Sequence, residues 1–301
     1  MDRRNFILKS AALAFSLTIP LKVLCKPLAD NGLSGENFKR PSDSEFRKIC
    51  YGHDKNNYFE LRLPKAKNGN KSPLAIVIHG GYWRNKYSLD YTRYLCDWLS
   101  SNGIISVNME YRRIGDVGGG YPGTFTDVAM CIDSLPEKLK SLDIYDVDLN
   151  NIVVIGHSAG GHLATWAFSR SNIHENSPLY KPNALKIKKA ISLAGLLDLK
   201  YANDNHLSND AVLELINGAP LDEISENISP IEMLPIRNGE VILFHGNQDN
   251  NVPIEISSEY SLKAKENCTY HIIDGAGHFD IVAPNSPYFN MIGDKILQSF
   301  S

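Results

Sequence analysis

A serine, an aspartate and a histidine stand in the chain order Ser158, Asp249, His278, and the surroundings of each suit one kind of chemistry. Ser158 lies at the centre of Gly156-His-Ser-Ala-Gly160, with Gly161 next. A β-branched apolar run, Ile152 to Ile155, precedes it, and a helical stripe of Leu163, Trp166 and Ala167 follows. Strand, Gly-x-Ser-x-Gly and helix in that order form a nucleophile elbow. The turn is sharp, so side chains two positions either side of the serine would collide with neighbouring backbone. Gly156 and Gly160 avoid that collision, and Gly161 lets the helix lie close to the sheet. The serine Oγ is then held above the strand end. Free N–H groups at the helix start, that of Ala159 included, point where negative charge develops during acyl transfer.

Such a serine needs a base, a carboxylate to orient the base, and a second oxyanion donor. Behind an elbow the order is serine, acid, histidine, and the groups sit in loops just past strand C-termini. Of nine histidines, His53 and His79 precede the serine, His157 flanks it and His162 lies on the following helix. His174 and His206 fall in loops or an insert, His245 ends a strand ahead of the acid, and His271 lies within the last strand. His278 alone follows that strand, in the glycine-rich Asp274-Gly-Ala-Gly-His278. Asp249 follows the strand Val241–Phe244 and precedes a helix opened by Pro253, which makes it the expected acid. Asp274 is the runner-up and Asp198 a distant third. His79-Gly-Gly-Tyr-Trp83 follows the strand Leu74–Ile78, where Gly81 and Tyr82 are the candidate donors beside Ala159. The sequence does not choose between those two, and His79 is expected to brace their loop. Tyr82 and Trp83 are candidates for the acyl wall, His157 for a pocket neighbour, and Leu197 and Tyr201 for the pocket mouth. Core packing is the alternative reading for each aromatic.

The elements that must hold these residues alternate along the chain. Strands are expected at 49–51, 59–63, 74–78, 104–109, 152–155, 189–196, 241–244 and 269–273. Helices are expected at 89–101, from Gly123 onward, behind the elbow, at 253–265 and at 288–300. The alternation Phe59-Glu-Leu-Arg-Leu63 reads as an edge strand with one wet face. Strands alternating with helices predict an α/β fold, with a mostly parallel central sheet and helices on both faces. The expected organisation is an export signal at 1–29, a polar lead-in at 30–47 and a catalytic domain at 48–301. A cap-like insert is expected at about 200–235.

Composition bounds the reading. The chain has 301 residues, 43% hydrophobic and 22% charged, with a formal net charge of −3, enough for one large α/β core. No basic cluster outside the N-terminus points to nucleic acid. Met1 to Lys9 is basic and Ser10 to Leu21 apolar, the pattern of an export signal. Arg3-Arg4-x-Phe6-Ile7 resembles the twin-arginine variety, so a periplasmic or secreted protein is expected, with an uncleaved cytoplasmic tail or membrane anchor as the alternative. The apolar run is short for a membrane span. Cys50, Cys96, Cys131 and Cys268 show no C-x-x-C pairing and no metal spacing. Cys96 and Cys131 lie in apolar helical patterns and are expected as buried thiols.

His79-Gly-Gly-Tyr-Trp, Gly156-His-Ser-Ala-Gly-Gly-His, His245-Gly-Asn-Gln-Asp249-Asn-Asn-Val-Pro and Gly277-His278 together resemble the α/β-hydrolase superfamily. They are most similar to its esterase branch, which includes arylformamidases (kynurenine formamidases) and acetyl or feruloyl esterases. The resemblance runs from about residue 50 to the C-terminus. It implies a serine hydrolase without cofactor or metal, acting on a small ester or aryl amide. An exported arylformamidase would be unusual, which favours a general esterase. A prolyl oligopeptidase-like peptidase is disfavoured by the expected absence of a gating domain ahead of residue 50. A non-catalytic binding module is disfavoured by the presence of all three triad types. Acyl group, leaving group and oligomeric state stay open.

Overall fold

The computed structural model describes residues 45–64 and 71–301. The expected export signal and nearly all of the lead-in lie outside the described residues. The elements are β1 (Arg47–Cys50), β2 (Tyr58–Arg62), β3 (Ser72–Ile78), α1 (Arg93–Ser101), β4 (Ile105–Met109), α2 (Gly123–Ser141), β5 (Val147–His157), α3 (Ala159–Phe168), β6 (Lys189–Leu193), α4 (Leu199–Asp204), α5 (Leu207–Ile216), α6 (Leu221–Ile228), β7 (Glu240–Gly246), α7 (Glu255–Ala264), β8 (Cys268–Ile273) and α8 (Phe289–Gln298). They form an α/β fold around one eight-stranded sheet in the order β1-β2-β4-β3-β5-β6-β7-β8. The β1–β2 and β2–β4 pairings are antiparallel and the remaining five are parallel.

The apolar runs read as strands are buried on both faces, and their alternate residues feed two cores. Leu74, Ile76 and Ile78 of β3 join Ile152 and Val154 of β5 on one face, with Phe125 and Ile132 of α2, Leu163 and Trp166 of α3, and Ile256 and Tyr260 of α7. Ala75 and Val77 join Val153 and Ile155 on the other, with Leu95 and Leu99 of α1 and Ile292 and Ile296 of α8. Each buried Val, Leu, Ile or Phe among them contributes roughly 1.5–3 kcal/mol through burial. No described helix is long and apolar enough to cross a membrane. The thiols of Cys96 and Cys131 are buried, and all four described cysteines are free.

Register sets where the site forms. Ile78 pairs with Gly156, His157 with Leu193, Leu193 with Phe244 and Gly246 with Ile273. The parallel strands therefore end together, and the loops after β3, β5, β7 and β8 emerge along one edge of the sheet.

Two expectations need correction. β2 is not an edge strand, because β1 covers it, and its polar residues are not wet. Glu60 and Arg62 are 1% and 0% exposed. Arg62 donates to Asp97 at 2.7 Å and to Glu60 at 3.3 Å, and Arg93 donates to the other oxygen of Glu60 at 2.5 Å. The alternation is a buried ionic seam under α1, where removing one partner costs about 3–5 kcal/mol. β6 stops at Leu193, short of Leu196, because Ala194 turns to φ 49°. The expected insert consists of α4, α5 and α6, with Asp198 as the N-cap of α4, accepting from Tyr201 N–H. The carboxylate bonded to His278 is that of Asp249, which leaves Asp198 as a helix cap.

Candidate active site

β5 delivers Ser158 at φ 57° and ψ −124°, a left-handed backbone that a β-substituted residue adopts only under constraint. The elbow glycines supply the constraint. A Cβ on Gly156 would meet the Gly160 carbonyl oxygen at 2.0 Å, and one on Gly160 would meet that of Ile78 at 2.1 Å. Ser158 itself is 3% exposed, and its N–H donates to the Leu193 carbonyl at 2.8 Å.

The loop after β8 brings His278 to the loop after β7. His278 Nδ1–H donates to Asp249 Oδ2 at 2.7 Å, and the opposite oxygen, Oδ1, accepts from the N–H groups of Asn251 at 2.8 Å and Val252 at 2.9 Å. His245 Nε2 lies 3.3 Å from the same Oδ2 and donates to the Val252 carbonyl at 3.0 Å. Burial alone would raise the Asp249 carboxyl, but His278 and His245 beside it outweigh that and hold it well below the usual carboxylate range. A charged Asp249 fixes the proton of His278 on Nδ1 and leaves Nε2 free to accept one. His278 packs against the residue before Ser158, its ring centroid 4.5 Å from that of His157. Asp274 is exposed and accepts from Asn247 Nδ2 at 2.8 Å, whereas His278 Nδ1 bonds to Asp249. Asn247 Oδ1 also accepts from the Gly275 N–H, so this pair braces the loop after β8.

The loop after β3 forms the third part. Gly81, Tyr82 and Trp83 take consecutive positive φ values of 107°, 49° and 57°. Gly80 lies so close to the elbow that a Cβ there would meet Ser158 Cβ at 2.8 Å. The Gly80 N–H donates to Tyr91 Oη at 2.6 Å, which leaves Gly81 and Tyr82 as the candidate donors of this loop. His79 braces the loop as expected: Nδ1–H donates to the Gly80 carbonyl at 2.9 Å, Nε2 lies 2.8 Å from Glu110 Oε1, and the ring stacks on Tyr111 at 4.5 Å. Burial would raise the Glu110 carboxyl, yet His79 and Arg113 bring it below its ordinary value.

The expected pocket residues divide. Tyr82 is half-buried and its hydroxyl donates to the Asn251 carbonyl at 2.5 Å, so it links the loop after β3 to the loop after β7. Tyr201 is also half-buried, on α4. Trp83, His157 and Leu197 are corrected to core positions, being 0%, 1% and 0% exposed. Trp83 Nε1–H donates to His162 Nδ1 at 3.1 Å, and His162 Nε2–H donates to the Ile228 carbonyl at 2.8 Å, which fastens α6 to α3. Burial pushes that imidazole down to about 4. Arg84 ties the loop after β3 to α5, donating to the Ser208 carbonyl at 2.8 Å and to Glu214 at 2.7 Å.

Sequence reasoning missed Tyr91 and the part played by His245. His245 carried a signal, its i,i+4 spacing from Asp249 in the loop motif. Tyr91 carried none, because its partners lie 11 and 66 residues away.

A family model described as BD-FAE matches residues 59–264. The chain belongs to the BD-FAE family. This BD-FAE protein is 25% identical over 229 residues to a probable isoprenylcysteine alpha-carbonyl methylesterase of Arabidopsis thaliana, covering 71% of the chain and 52% of the relative. It is 23% identical to esterase LipC of Mycobacterium tuberculosis, covering 78% of the chain and 60% of the relative. The chain thus spans about half the length of the curated relatives it matches. Esterase B of Lactobacillus rhamnosis superimposes with a TM-score of 0.71 at 18% identity over 86% of each chain. A truncated carbohydrate esterase from gut microbiota superimposes with 0.68 at 19% identity, over 87% of this chain and 99% of the other. The shared architecture is the α/β-hydrolase fold.

Proposed function

We propose that this BD-FAE protein is a serine carboxylesterase cleaving a small carboxylic ester, or an aryl amide, through an acyl-enzyme. The observation that carries the reading is the 2.7 Å bond from His278 to Asp249 beside a serine held at φ 57°. The esterase names of its relatives support it. Ser158 Oγ attacks the substrate carbonyl while His278 Nε2 takes its proton. Asp249 stabilises the imidazolium that results. The N–H of Ala159, with that of Gly81 or Tyr82, receives the oxyanion, each donor contributing about 3–4 kcal/mol to the transition state. The tetrahedral intermediate collapses as His278 protonates the leaving oxygen or nitrogen. Water then enters with His278 as base, and the acid is released with the serine restored.

A fluorophosphonate probe tests the nucleophile. It labels the native protein and not Ser158→Ala; labelling of both, or of neither, refutes the assignment. Turnover of p-nitrophenyl acetate, p-nitrophenyl butyrate, methyl ferulate and N-formylkynurenine then separates ester from formamide chemistry. The nearly closed position of Ser158 favours the short-chain esters, and activity confined to acyl chains above about eight carbons contradicts it. We also propose export across the inner membrane, on the basic start and apolar run of residues 1–29.

A further inference from the structure

Four residues from four separate stretches form one hydrogen-bonded line behind the site. The Gly80 N–H, after β3, donates to Tyr91 Oη at 2.6 Å. Tyr91 Oη lies 3.0 Å from His157 Nδ1, at the end of β5. His157 Nε2 lies 2.9 Å from the backbone carbonyl of His278, after β8. Proton positions follow from the ends. A carbonyl only accepts, so His157 Nε2 carries the hydrogen and Nδ1 of the neutral ring is an acceptor. Tyr91 therefore receives the Gly80 hydrogen and gives its own to His157. Every link points the same way, from the donor loop to the base.

We infer that Tyr91 and His157 are positioning residues, a strut that sets the distance between the oxyanion-donor loop and the catalytic histidine. The inference rests on the triad reading above. β3 and β8 are separated in the sheet by β5, β6 and β7, so their loops share no strand pairing that would fix one against the other. Acyl transfer nevertheless needs both held within about half an ångström of their productive positions around the reacting carbon. His157 suits the task because it is rigidly placed at the elbow, 1% exposed and packed edge-on to Tyr91 at 5.6 Å. It must also stay neutral beside a base that becomes cationic in each cycle. Burial, and then the neighbouring His278, hold it well below the usual histidine range. Gly80 is needed at the other end, since a Cβ there would meet Tyr91 Oη at 3.0 Å and the His157 carbonyl at 2.5 Å.

The test uses Tyr91→Phe, His157→Leu, His157→Gln and the double variant Tyr91→Phe/His157→Leu. Hydrolysis of p-nitrophenyl butyrate is measured per active site titrated with fluorophosphonate. A failure of native Ser158 to label at all defeats the triad reading, and is distinct from the outcomes here. Tyr91→Phe and His157→Leu are each expected to lower kcat roughly tenfold or more with KM changed less than about twofold. The double variant is expected to be no worse than the poorer single one, because either change breaks the same line. Gln at 157 keeps an N–H for the His278 carbonyl and is expected to recover at least about fivefold over Leu. If His157→Leu fails to fold, Tyr91→Phe and His157→Gln decide, since a broken strut lowers kcat in the first and a restored donor limits the loss in the second. The proposal is overturned if kcat per titrated site stays within about twofold of the native value while only the melting temperature falls. Losses that multiply in the double variant overturn it too.

Discussion

The hydroxyl of Tyr82 reaches across the mouth of the site to the carbonyl of Asn251, at 2.5 Å. Asn251 in turn donates its N–H to Asp249, so one tyrosine joins the loop after β3, with its candidate oxyanion donors, to the loop after β7, with the candidate acid. Burial, and then the nearby Asp249, push the phenol above its ordinary range, so it remains a donor at neutral pH. Tyr82→Phe removes about 1 kcal/mol of hydrogen bonding. A melting temperature lower by about 2–4 °C is expected, with a severalfold drop in kcat for p-nitrophenyl acetate. An unchanged rate and midpoint would mean that the two loops are tied elsewhere.

Asp249→Asn is expected to lower kcat by about 10⁴ while leaving the fold intact. The two backbone N–H groups on Oδ1 would select the carbonyl of the new amide, turning its NH₂ toward His278 and His245. His278 then carries its proton on Nε2, where it cannot accept one from Ser158. Asp274→Asn keeps an acceptor for Asn247 and is expected to stay near the native rate. Steady-state kinetics of both variants checks the assignment. A dead Asp274→Asn beside an Asp249→Asn that retains more than a tenth of native activity would exchange the roles.

Stability is expected to fall as pH drops below about 6.5. His157 and His162 are held neutral in the fold, His162 down to about 4 and His157 well below its ordinary value. In the unfolded chain they take up protons near 6.5. The unfolded state then binds more protons than the native one, with a slope of up to about 1.4 kcal/mol per pH unit for each group. Asp249 acts in the same direction at lower pH, because its native carboxyl resists protonation below the unfolded value near 3.9. Melting temperatures between pH 8 and 4.5 should be flat above about 7 and decline below 6.5. A midpoint that rises over that decline would refute the neutral assignment.

Export is checked by fusing residues 1–35 to a reporter, which is expected to cross the inner membrane. Changing Arg3 and Arg4 to Lys should block it if the twin-arginine route is used. Unchanged export would leave the general secretory route, and a reporter retained in the cytoplasm would remove the proposal.

Much of the fold was legible because parallel strands buried on both faces must be apolar throughout, as 74–78 and 152–155 are. The elbow was legible because three glycines are forced by contacts of about 2–3 Å with backbone or a packed side chain. What misled was burial without periodicity. Trp83 reads as a pocket wall until His162 is seen to take its N–H. Glu60 and Arg62 read as wet until Arg93 and Asp97, more than thirty residues on, are seen to neutralise them. Tyr91 shows no local pattern, since its role exists only once β3, β5 and β8 have been brought into register.

That register has a consequence for the order of events in refolding. Ser158, Asp249 and His278 hang from three parallel strands, and the last of these pairs only through β7. Parallel pairing closes large loops before any contact repays the lost entropy, so it is slow compared with helix formation. Esterase turnover would then be the final signal to return after dilution from denaturant, trailing the helical signal and the burial of Trp83 and Trp166. A chain stalled before β8 docks would look largely native by circular dichroism and hydrolyse nothing.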